Sequence, residues 1–146
     1  MPVPVREQIL QNLVATLAGL AGVRVERDLE AEVQDYPTLN VIEGDQSADS
    51  GTHGATDYRM AVTVEGYVQT PGRDTLAAAN NDLYARVVRA LNDDYTLGGF
   101  AQDVTETAAA FDVDRDGMET PTAYFAVEFE IRYFTRQGDP YAVGPS

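Results

Sequence analysis

The chain has 146 residues, the size of one domain and long enough to bury a core without covalent staples. It contains no cysteine, which excludes a disulfide framework, thiolate metal sites and a cysteine nucleophile. Its 24 acidic and 10 basic residues give a formal charge of −14; the bases are all arginine and scattered, which argues against a sequence-specific or backbone-neutralising nucleic-acid binder.

No apolar run approaches the roughly 20 residues that span a bilayer, and the start, Met1 to Glu7, lacks the regions of a signal peptide. The expectation is an intracellular, soluble protein with no membrane contact. In chain order, the spacing of Val5, Ile9, Leu13, Leu17 and Leu20, widened by Leu10 and Val14, predicts a helix over 5–20. Pro4 suits its first turn, and Gly19 with Gly22 supplies its end. A short strand, Val23–Arg27, an acidic loop over 30–35, and a proline-led strand, Thr38–Glu43, follow. Residues 44–57 hold glycines and small polar side chains with no apolar anchor, which predicts a flexible loop.

Tyr58, Met60, Val62, Val64 and Val68 alternate with Arg59, Thr63, Glu65 and Gln69, a strand of period two. After the turn at 70–74, Asp74 or Thr75 can cap a second helix with the stripe Leu76, Leu83, Val87 and Leu91, running to about Asn92. The turn Thr96–Phe100 leads to strands over about 101–111 and 122–135, joined by an acidic hairpin tip. The second of these puts Phe125, Val127, Phe129, Ile131 and Tyr133 on one face and Glu128, Glu130 and Arg132 on the other. Residues 137–146 read as an extended tail. One-sided alternation implies an α+β fold in which a mostly antiparallel sheet carries two helices on one face, as a single domain over 1–136.

Few side chains invite chemistry. Asp112, Asp114 and Asp116 with Gly117 match the first half of a calcium loop, but the closing position holds Ala123 where a bidentate Glu belongs. They are weak metal candidates, and turn chemistry explains them as well. His53 sits among polar loop residues with no fixed partner for a general base. Ser47 and Ser50 lie in no nucleophile elbow, and Leu97-Gly98-Gly99 is neither a phosphate loop nor a dinucleotide fingerprint. Glu128 and Glu130 share a strand face with Arg132, which fits cross-strand ion pairs better than a paired-acid site. No catalytic or cofactor-binding residue is assigned, and no cofactor is expected.

The succession of elements resembles the tail terminator proteins of long-tailed bacteriophages. The features that carry the likeness are the opening helix and short strand (Val5 to Arg27) and the proline-led strand Tyr36 to Gly44. The strand Met60 to Val68, the helix ending Val87 to Leu91, and the closing run Phe129 to Tyr141 complete it. The resemblance implies a virion protein of the tail or neck, assembled in the host cytoplasm: a homohexameric ring that caps the tail tube and meets the tube protein and the head–tail connector, without catalysis. Head-completion and neck proteins share much of the pattern. From another class, a small ligand-binding or enzymatic α+β domain is the alternative.

Overall fold

The computed structural model describes residues 2–50, 53–113 and 121–144, and of Arg73 the backbone alone. The first aliphatic stripe forms α1, Val5–Ala18, whose buried residues are Val5, Ile9, Leu10, Leu13 and Leu17. Pro4 is its N-cap, one place before the first turn, and Gly19 caps the other end. The remaining elements are β1 (Arg24–Arg27), β2 (Thr38–Ser50), β3 (Ala55–Gln69), α2 (Arg73–Asp93), β4 (Asp103–Val113), β5 (Thr122–Arg136) and β6 (Asp139–Val143).

The strands form one six-stranded sheet in the order β1-β2-β3-β5-β4, with β6 also beside β5. Only β1 and β2 pair in parallel. Because β3 and β4 both run antiparallel to β5, they are parallel to each other, and α2 is the crossover between them. The α+β architecture is therefore the one the alternation implies, with 47% of the described residues in strands and 26% in helices.

Both helices cover the same face. Leu39 and Val41 of β2, Met60, Val62, Val64 and Val68 of β3, and Phe125, Val127, Phe129, Ile131 and Tyr133 of β5 pack with the stripes of α1 and α2 in one core. Burial of this apolar area is the main stabilising term. The opposite face carries no helix. There Arg132 pairs with Asp57 at 3.0 Å and Arg59 faces Glu130 at 3.8 Å, the cross-strand pairs expected of that face.

A charged network fixes α1 to the first strands. Arg27 donates to both carboxylate oxygens of Glu7 at 2.7 Å and to Glu43 at 2.8 Å. Arg6 reaches the other Glu43 oxygen at 3.3 Å and Gln46 at 2.7 Å, and Tyr133 donates to that same Gln46 oxygen at 2.7 Å. Hydrogen bonds from Arg27 hold Glu7 and Glu43 below the usual carboxylate range and raise Arg27 in return.

Three expectations need correction. Residues 44–50 and 55–57 are not a loop: Gln46 to Ser50 pair with Met60 to Thr56, so β2 and β3 form a hairpin arm. Small polar side chains cannot bury a face, but a ladder needs only backbone groups, and β3 supplies the partners. Irregular register between Glu43 and Gln46 marks where the arm leaves the core, and His53 and Gly54, both at positive φ, make its turn. Gly51 and Thr52 lie outside the described residues. Residues 137–146 are not simply an extended tail, because Asp139–Val143 adds to β5 as β6; Pro140 is tolerated there on an edge. Finally, α2 begins with Gly72 as N-cap and no side-chain cap, which leaves Asp74 in its first turn and Thr75 donating to the Gly72 carbonyl at 3.2 Å.

Candidate functional site

β4 ends the sheet, and its outer edge carries unpaired backbone donors and acceptors. Thr105 through Asp112 are exposed one after another, although alternate residues face opposite sides. α2 lies over β3 and β5 and reaches β4 through Tyr84, which donates to Glu106 and meets Phe111 edge-on at a centroid distance of 5.0 Å. Val104 is the buried side chain of this strand, while Glu106, Ala109 and Phe111, opposite the buried Phe129, Val127 and Phe125, remain open. A groove of about 360 Å³ between α2 and β4 is lined by Val88, Asn92, Val104, Glu106 and Phe129. The strand has no lysine and no proline. An irregularity around Thr107, whose hydroxyl donates to the Glu128 carbonyl at 3.2 Å, and the acids Asp103, Glu106 and Asp112 temper this edge, but the run from Thr107 to Phe111 carries no charge. Such an edge docks another strand through main-chain hydrogen bonds.

At the end of the sheet where β3 leaves and β5 enters lies a second feature, a cleft of about 1120 Å³. Its aromatic lining is Tyr36, Tyr67, Tyr124 and Phe111, joined by the carboxylates Glu32 and Asp112. Tyr36 comes from the loop between β1 and β2, which Asn40 holds by accepting from the Leu29 amide at 2.9 Å. Tyr67 and Tyr124 are register partners on neighbouring strands and stack with centroids 6.3 Å apart. Tyr67 donates to Glu65 at 3.0 Å; burial, and then that carboxylate, push its hydroxyl up to about 12. Asp112 raises Tyr124 in the same way. From α2 comes Asn80, only 2% exposed, whose Nδ2 donates to the Tyr124 carbonyl at 3.2 Å. Its Oδ1 has no partner among the described residues.

Of the residues singled out in the sequence, Asp112 lies on this cleft and accepts from the Val113 amide at 2.8 Å. Asp114 and Asp116 fall outside the described residues. Among the described residues no group of three or more metal-ligating side chains comes together. His53 is exposed at the far end of the hairpin arm, and Glu128 and Glu130 point from the open face. The space between helices and sheet is not wholly aliphatic, as the stripes suggest, because Asn80 is buried there. The Asn80-Asn81 pair within α2, and tyrosines at the polar positions 67 and 124, were the signals available for the cleft. No helix is long and apolar enough to cross a membrane among the described residues. The chain matches no model of a known protein family and no curated protein.

Proposed function

We propose that the protein is a structural subunit of a long-tailed phage, a tail terminator that forms a homohexameric ring on the last ring of the tail tube and joins it to the head. The observation that supports this most is β4, a long sheet edge whose side chains from Thr105 to Asp112 are exposed and whose margin is unpaired. Strand addition along such an edge links subunits through backbone groups, and heterologous contacts of that kind close into rings. The sheet face without helices supplies a second broad surface. A ring around a DNA passage gains from acidic subunits, since like charge prevents adhesion, and this chain carries −14. Its action needs no chemistry: a ring seated on the tube end buries the surface that the next tube subunit requires.

Deleting the reading frame from the phage genome and viewing particles by electron microscopy tests this. Overlong tails that fail to join heads are expected. Normal tails on heads that leak DNA would move the protein to head completion, and normal infectious particles would remove it from assembly.

A further inference from the structure

The cleft at the β3–β5 end of the sheet has the chemistry of a cation site, and this holds whether or not the protein forms a ring. Among the described residues its charged lining, Glu32 and Asp112, is acidic, and the chain's single histidine lies at the opposite end of β3. Among the described residues the first helical one in the lining is Ala77, past the first turn of α2, where the helix dipole favours anions. Tyr36, Tyr67, Tyr124 and Phe111 present ring faces that attract a cation, and Phe111 and Tyr124 remain 49% and 40% exposed. Independently of these charges, Asn80 brings to the lining a buried amide oxygen that lacks a donor among the described residues. Buried acceptors of this kind are rare unless something supplies the missing donor.

We propose that this cleft receives an arginine side chain from a partner protein other than this chain. The guanidinium suits it better than an ammonium because it is planar, stacks on aromatic rings and carries five donors with no acceptor. Asp112 pairs with the cation, the Tyr67–Tyr124 stack carries its face, and Asn80 Oδ1, closed to solvent in this structure, accepts one of its N–H groups once the wall beside it shifts. A second copy is the less suitable source, since docking one −14 chain into the acidic end of another opposes their net charges.

The test is titration of the whole protein with N-acetyl-arginine methylamide, followed by NMR of the tyrosine rings and the Asn80 side-chain amide. The neutral isostere N-acetyl-citrulline methylamide and the lysine analogue are the comparisons. Saturable shifts at Tyr67, Tyr124 and Asn80 with arginine, several-fold weaker binding of lysine and none of citrulline are expected. Asp112→Asn should weaken arginine about three- to tenfold, the scale of one charge-assisted contact. Asp49→Asn, an exposed acid on the hairpin arm at the far end of β3, should leave it unchanged. Equal binding of citrulline, shifts that avoid Tyr67 and Tyr124, or equal weakening by both variants would each overturn the assignment.

Discussion

Gly66 lies in the middle of a strand, where glycine ordinarily weakens pairing and packing. Its register partner is Phe125, and the ring of Phe125 lies across the bare backbone, so that a Cβ added at Gly66 would stand 2.2 Å from Cε1 of that ring. Phe125 is fully buried and is met edge-on by Tyr84, at a centroid distance of 5.8 Å. The ring therefore has no free space to turn into, and Gly66→Ala should cost about 1–3 kcal/mol through overpacking. Urea unfolding of Gly66→Ala, Phe125→Leu and the double variant checks this; the double variant should lose less than the sum, because the smaller side chain frees the space. At Glu43 the stabilising charge has a definite pH sign. Its carboxyl is held below 4.5 by Arg27, so its contribution is present above that value and fades as pH falls through the lower folded one. Glu43→Gln should be roughly 1 kcal/mol less stable at neutral pH, with the gap to the parent closing towards pH 3 in thermal melts. The comparison must be with the variant, since acid also relieves the self-repulsion of a chain this negative.

Among the elements, β5 shows most plainly how alternation becomes burial. Phe129 is buried on the helix side and Glu128 is exposed on the open side. Phe129→Ala should cost about 3–5 kcal/mol, against under about 1 kcal/mol for Glu128→Ala; chemical denaturation of both variants checks the ranking. Alternation made β3, β5 and both helices legible in the sequence, because each buries one face and the pattern records which. The hairpin arm of β2 and β3 was not legible, since residues 46–50 pair through backbone alone and Asp49 and Ser50 face solvent on either side. β6 escaped for the same reason, five residues that bury little. Gly66 was visible only as a gap in the run of Val62, Val64 and Val68, and its meaning depends on a residue brought opposite by β5. The cleft was illegible because its walls come from a loop, three strands and a helix that no sequence spacing relates. Asp112 was noticed for its calcium-like spacing and proves to stand beside tyrosines instead.

For the whole molecule, the β4 margin is the edge at which the proposed ring would join its subunits. Ala110 is exposed in β4 and points to the open side, opposite Ala126. Ala110→Lys should leave the fold intact and block strand addition, as edge lysines do in natural sheets. Supplied in trans to a phage lacking the gene, the parent protein should restore normal tail length and the lysine variant should not; rescue by both would place the subunit contact elsewhere. The order of the sheet also bears on how the chain is made. β5 lies between β3 and β4 and is synthesised after both. As the nascent chain emerges, α1, the β2–β3 hairpin and α2 can assemble, but β4 has no strand to bridge it to β3. The parts of β3 and α2 that pack on β5 stay wet until the last long strand slides into the middle, and its pairing with β3 then joins distant parts of the chain. Such non-local closure is slow, so the interval before β5 arrives is when the newborn protein has most need of a chaperone.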